Sequence, residues 1–198
     1  TNVRWRVRDQ GNDQRITNPK RKSFFRCFGF GGGSSFASGE GKLHIKMNIH
    51  SITVMFAQPE HAVYAERICT LIYESALQRG TGIARRSPEY ISSKITGGKA
   101  VVALDGDKLV GFSYIECWGH GDYVATSGLI VDPEYRHLGL AGEIKKRTFE
   151  LARMRFPFAK LFSITTSLPV MKLNTRLGYK PVTFSELTQD DEFWQGCE

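Results

Sequence analysis

The residues with the clearest chemical capability are Arg136, His137, Leu138, Gly139, Leu140, Ala141 and Gly142. They stand where an apolar run ending in Leu129-Ile130-Val131 stops and a helix-like run to Phe156 begins. A turn of small residues at such a junction leaves several backbone N–H groups without intrahelical partners, all aimed at one spot. Those donors and the helix dipole favour negative charge there. The expected chemistry is therefore capture of an anion, and a pyrophosphate suits it. Gly139 and Ala141 matter by being small, because a bulky side chain at 139 would keep phosphate from the main chain.

Two further groups of side chains could act. Arg79, Arg85 and Arg86 flank a glycine-containing stretch, Gly80-Thr81-Gly82, and could clamp carboxylates in bidentate fashion. A solvated basic loop is the competing reading. Glu116 ends a strand-like run and His120 follows in a glycine turn, so either could take up a proton directly or through water. Taken singly, each also reads as an ordinary strand carboxylate or turn histidine. The cysteines (Cys27, Cys69, Cys117, Cys197) form no Cys-x-x-Cys pair, and no metal is expected.

Arg136-x-x-Gly139-x-Ala141, after a strand ending in Val131-x-Pro133-x-Tyr135, resembles the acetyl-CoA pyrophosphate loop of the GNAT N-acetyltransferases. Leu177-Gly178-Tyr179 is similar to that family's closing Leu-Gly-Phe/Tyr. The resemblance runs from about Ile52 to Leu187. It implies an α/β GNAT fold, a mixed and mostly antiparallel sheet with helices on both faces. It implies acetyl-CoA as cosubstrate, with the pantetheine arm along Leu129, Ile130 and Val131 and the pyrophosphate over Arg136 to Gly142. The Arg136 side chain would add charge. Lys145, Lys146 and Arg147 would face solvent, or one of them would touch the adenosine 3′-phosphate.

Many members carry a glutamate base where this chain has Ala125 and a tyrosine acid where it has Asn174. The resemblance therefore leaves Glu116 and His120 as candidate bases and Asn174 as a hydrogen-bonding partner of the thioester sulfur or pantetheine. Thr165, Thr166 and Ser167 are weaker hydroxyl candidates. The stretch Arg79 to Tyr90, with Ser185-Glu186-Leu187-Thr188, is similar to small bacterial GNAT enzymes assigned to N-acylglutamate synthesis. That implies acyl transfer to the primary amine of a small acidic amino acid such as glutamate, in cytoplasmic amino-acid biosynthesis. Acetylation of a protein N-terminus or another amine is an alternative, as is a non-catalytic CoA-binding module.

The elements that must position these residues can be read from periodicity and turn residues. Strands are expected at Ile52–Ala57, Ala100–Leu104, Leu109–Trp118, Tyr123–Val131, Leu161–Thr165 and Pro181–Phe184. Helical spacing covers Glu60–Leu77, a shorter helix opened by Ser87-Pro88 and closed at Gly97-Gly98, the helix stopped by Pro157, and Val170–Leu177. Ala141, Ile144, Thr148, Leu151 and Ala152 form the expected buried stripe of the third helix. Asp105-Gly106-Asp107 marks a hairpin.

The chain has 198 residues, a net charge of +7 and a pI near 9.3. Residues 1–46 hold ten Lys and Arg against three Asp and Glu, whereas the remaining residues hold seventeen of each. The basic excess thus belongs to that segment alone, and a nucleic-acid partner is not expected for the rest. Its Lys20-Arg21-Lys22, scattered phenylalanines and Gly31-Gly32-Gly33 read as a disordered or non-native segment, with Met47 as the natural start. Residues 47–188 are the expected catalytic domain, and residues 189–198 a tail cut short. No apolar run approaches the ~18 residues that a membrane span needs. A homodimer is left open.

Overall fold

The computed structural model describes residues 3–7, 51–79 and 85–183. In chain order these form β1 (Val3–Val7), β2 (Ile52–Phe56), α1 (Ala65–Arg79), α2 (Pro88–Thr96), β3 (Ala100–Asp105) and β4 (Lys108–Trp118). Then follow β5 (Tyr123–Val131), α3 (Leu140–Arg155), β6 (Lys160–Thr165), α4 (Leu168–Arg176) and β7 (Tyr179–Val182). The strands make one sheet in the order β2-β3-β4-β5-β6-β1-β7. Every pairing is antiparallel except β5 with β6. No helix among the described residues is long and apolar enough to cross a membrane.

Residues of alternating parity on the central strands point to opposite faces, and each face is covered by its own helices. Phe112, Tyr114 and Ile130 pack with Ile68, Leu71 and Ile72 of α1 and with Ile91 and Ile95 of α2. On the other face, Gly111 lies against the Ile144 side chain of α3. The buried stripe of α3 runs through Ile144, Thr148, Leu151 and Ala152. Local signals place α2 as the sequence predicts: the Ser87 side chain accepts from the Tyr90 N–H, and Pro88 occupies the first turn.

Three elements differ in their bounds from the sequence expectations. The helix expected from Glu60 begins instead as a 3₁₀ turn over Pro59–Tyr64, with α1 starting at Ala65. Apolar spacing over a single turn does not separate the two windings. The helix expected at Val170–Leu177 starts earlier, at Leu168, with Pro169 in its first turn. The last strand is Tyr179–Val182 rather than Pro181–Phe184, anchored by the buried Tyr179.

The largest difference is β1. Residues 1–46 read as a segment without structure, yet Val3–Val7 forms a strand between β6 and β7. Its sequence, Val-Arg-Trp-Arg-Val, alternates apolar and basic residues with period two, a strand signal masked by the composition around it. By contacts the chain divides into two units, residues 1–9 with 48–198 and residues 10–47. The second unit, and the tail from residue 184, lie outside the described residues.

Candidate active site

β5 and β6 run side by side for only three residue pairs, Tyr123↔Lys160, Val124↔Leu161 and Ala125↔Phe162. Beyond them the ladder stops and the contacts pass to side chains. The Ser163 hydroxyl donates to the Thr126 carbonyl at 3.4 Å, and the Thr126 hydroxyl to the Phe162 carbonyl at 3.5 Å. β5 continues to Val131 with no further pairing to β6. The sheet therefore opens into a cleft whose closed end is Thr126–Ser163 and whose wall is the far half of β5, including Leu129, Ile130 and Val131.

That wall carries a bulge. The β4–β5 register shifts between Phe112↔Ile130 and Tyr114↔Ser127, and Gly128 takes φ +64°. A Cβ on Gly128 would fall 2.3 Å from the Tyr114 ring, so only glycine fits beneath that ring. A bulge of this kind re-aims backbone groups away from the ladder, here beside the cleft.

At its open end the cleft meets the predicted anion loop. Asp132 caps a short turn, accepting from the Glu134 N–H, and is held by Arg67 at 3.1 Å. His137 and Gly139 then adopt φ +68° and +81°, and α3 starts at Leu140. Among the described residues none supplies an acceptor to the N–H groups of His137, Leu138, Gly139, Leu140 or Ala141. The Gly142 and Glu143 N–H groups are satisfied by the Gly139 carbonyl. Five consecutive unpaired donors at a helix start make an anion cradle.

One expectation about this loop changes and one gains detail. At Gly139 a Cβ would meet nothing within 4 Å, so a side chain there would stand in the open space above the amides, on a left-handed backbone that favours glycine. Arg136, however, does not reach over the cradle. Its guanidinium donates to the Val131 carbonyl (3.3 Å), Gln78 (3.3 Å) and Ser75 (3.5 Å), tying the loop to the end of α1. Lys146 and Arg147 are exposed, Arg147 lying over the Phe56 ring and pairing with Glu150.

Asn174 lies in α4, whose Leu173 approaches the first turn of α3 at Gly142. The Asn174 side chain is fully buried, and neither its amide nitrogen nor its oxygen has a partner. Unsatisfied buried polar atoms of this kind cost about 1–3 kcal/mol each. The Thr165 hydroxyl is used locally, accepting the Ser167 N–H, while the Ser167 hydroxyl makes no capping bond to α4.

The arginines expected on the acceptor side, Arg85 and Arg86, fall on the α1/α2 face. A cavity of about 420 Å³ is lined by Cys69, Tyr73, Ala76, Arg85 and Arg86, among others. Arg85 is exposed and stacks over Tyr73, while Arg86 donates to the Tyr114 hydroxyl at 3.1 Å. Arg79 ends α1, and residues 80–84 lie outside the described residues. Cys69 at the cavity edge has its thiol pKa raised, chiefly by burial and then by Glu89 and Glu66.

Glu116 is not a free carboxylate. Tyr90 and Lys94 both donate to it, in a part-buried cluster between α2 and β4. Burial, with Glu116 next, pushes the Tyr90 hydroxyl well above its ordinary pKa. His120 is exposed in the Gly119–Gly121 turn, beyond the paired end of β5 and β6, so it does not join Glu116 or Asn174. No three-residue His/Cys/Asp/Glu cluster suited to a metal occurs among the described residues.

One residue departs fully from the sequence expectation. Lys145, expected to face solvent, is buried with 2% exposure at the closed end of the cleft. Its position supplied a signal: it lies four residues after Ala141 and three before Thr148, inside the apolar stripe.

Several solved structures share this architecture. The N-acetylglutamate synthase of Neisseria gonorrhoeae, solved with coenzyme A and N-acetyl-glutamate, is 18% identical, with a TM-score of 0.60 over 74% of this chain and 32% of its own. Rv2747 of Mycobacterium tuberculosis, solved in complex with CoA, is 18% identical with a TM-score of 0.54, covering 73% of this chain and 81% of its own. The ribosomal-protein-S18-alanine N-acetyltransferase of Escherichia coli is 16% identical with a TM-score of 0.50, covering 67% and 79% respectively. At these identities the likeness is one of fold, and the chain spans about a third of the Neisseria synthase. No curated protein gives a significant match. The sequence itself matches the acetyltransferase (GNAT) family over residues 69–179, more than half of the chain, and the protein belongs to that family.

Proposed function

We propose that this protein is an acetyl-CoA-dependent N-acetyltransferase acting on the primary amine of a small acidic amino acid such as glutamate. The observation that carries the reading is the half-open β5–β6 pair leading to five unpaired amides at His137–Ala141. Acetyl-CoA supplies the activated acyl group as a thioester. The amides of His137 to Ala141 bind the diphosphate, and the unpaired edge of β5 at Leu129 and Ile130 takes the pantetheine arm as an added strand. Val131 contributes less, because its carbonyl already accepts from Arg136. The unpartnered amide of Asn174 is sealed from solvent, so it would meet the arm only if α4 shifts on binding.

Transfer needs a held carbonyl and a neutral amine. The bulge at Gly128 offers backbone donors for the first. For the second, a water relayed to Glu116, the one carboxylate of β4, removes the proton from the acceptor ammonium. Its existing bonds to Tyr90 and Lys94 make it a relay end rather than a base in direct contact. Arg85 and Arg86 at the cavity favour an anionic acceptor and disfavour a polyamine. Their setting fits N-acetylglutamate formation, a cytoplasmic biosynthetic step.

Release of free thiol from acetyl-CoA and from succinyl-CoA, measured across free amino acids, peptides and amines, tests this. Turnover with glutamate or aspartate is the expected result. Turnover with peptides alone would replace the acceptor assignment by a protein N-terminus. CoA binding with no transfer to any amine would leave a binding module.

A further inference from the structure

The closed end of the cleft is built around an amine. Lys145 Nζ donates to Thr126 Oγ1 at 2.7 Å and to Ser163 Oγ at 3.1 Å. These are the first residues on either strand after the β5–β6 ladder ends at Ala125–Phe162. The lysine therefore stands where the next rung would be, bridging the two strands through their side chains. Both hydroxyls spend their own protons elsewhere: Ser163 on the Thr126 carbonyl, Thr126 on the Phe162 carbonyl or the Tyr179 hydroxyl 3.4 Å away. Lys145 is therefore left with two acceptors, one for each proton of a neutral amine, whereas an ammonium would carry a third donor.

The surroundings agree. The described groups facing Lys145 are Thr126 from β5, Ser163 from β6 and, from β7, Tyr179, whose ring centroid lies 5.6 Å from Nζ. None is a carboxylate. Among the described residues, the charge acting on the Tyr179 hydroxyl is Arg153, of the same sign as a lysine. Burial lowers the Lys145 pKa to about 7.

The position matters because of length. From Val131 at the anion cradle to Thr126 is five strand residues, roughly 17 Å, comparable with an extended pantetheine arm. We propose that Lys145 is a positioning residue for acyl transfer: clamped between Thr126 and Ser163, its amine ends the β5–β6 ladder and sets how far the thioester enters. This rests on the coenzyme reading above. An apolar residue at 145 would leave the strands free to close by another rung, shortening the cleft at the sulfur end.

The test compares the full chain with Lys145→Met and Lys145→Arg, varying acetyl-CoA at saturating acceptor. Absence of CoA binding and turnover in the wild type would defeat the coenzyme reading before any variant is compared. Given wild-type turnover, Lys145→Met is expected to melt no lower than the wild type, because it replaces a buried amine by an apolar chain. Its advantage should be widest at and below about pH 7 and narrow towards the ordinary lysine value near 10.4, as the native amine's cost disappears. Its KM for acetyl-CoA should nevertheless rise about tenfold or more, and the wild-type inflection of kcat/KM near pH 7 should vanish. Lys145→Arg, always charged, should lose the inflection as well. A Lys145→Met enzyme with wild-type KM and pH profile overturns the proposal. Should that variant not fold, the Cε resonance of Lys145 in ¹³C-lysine-labelled wild type decides. Coenzyme A must shift its titration by about half a pH unit or more, and no shift overturns the proposal.

Discussion

The proposed coenzyme side and the proposed acceptor side of this molecule are built from different materials. The cradle at His137–Ala141 consists of main-chain amides, set by one left-handed glycine and the start of α3. The proposed acceptor face consists of side chains, Arg85, Arg86, Tyr90, Lys94, Tyr114 and Glu116, each engaged with its neighbours. A backbone site tolerates any sequence that keeps the chain's path, so it is sensitive at very few positions. A side-chain site spreads its dependence over many residues, each with a smaller share.

Gly139→Val breaks the comparison at its strongest point. A β-branched residue at φ +81° costs about 1–2 kcal/mol in backbone strain and fills the open space above the cradle. The expected result is a loss in kcat/KM for acetyl-CoA on the order of 100-fold, since two or more charge-assisted bonds are lost at about 1.5–3 kcal/mol each. The chain should remain folded by circular dichroism. A variant that binds CoA with wild-type affinity in calorimetry would mean that the anion is held elsewhere.

Arg85→Ala probes the other region. If Arg85 grips the acceptor carboxylate, kcat/KM for glutamate falls by about 10- to 100-fold while KM for acetyl-CoA stays put. Equal activity towards glutamate and glutamine in the wild type would show that the side-chain carboxylate is not read. The contrast sharpens further if Arg86→Ala lowers the melting temperature as well, because Arg86 is half-buried and bonded to Tyr114 whereas Arg85 is exposed.

The same division explains how much could be read from sequence. The strand, the small-residue turn and the helix after it are local, so spacing alone located Gly139 and its cradle. The α3 start, the α2 cap and the β3–β4 hairpin were legible for the same reason. What escaped depends on partners distant in sequence. Arg136 is drawn to α1 by Ser75 and Gln78, about sixty residues away, and no local pattern announces that. Glu116 loses its freedom to Tyr90 and Lys94 on another element. β1 pairs with strands more than 150 residues on, and only its own alternation hinted at it. Lys145 carries a charge that points to solvent, while its place in the apolar stripe points to burial, and the packing around it follows the stripe.

Asn174→Leu gives the smallest and most discriminating effect, because it stands on the boundary between the two kinds of site. Its amide is fully buried and both polar atoms lack partners in the ligand-free protein. Removing them should stabilise the fold by about 1 kcal/mol, read as a rise of a few degrees in melting temperature. If the amide serves the coenzyme arm, the same change raises KM for acetyl-CoA about three- to tenfold, because the arm's own amides then lose a partner. A stabilised enzyme with unaltered KM would make Asn174 a leftover of packing. A destabilised one would mean that a buried water satisfies it, a polar site independent of both faces. Stability and affinity moving in opposite directions is the combination that a purely structural asparagine cannot produce.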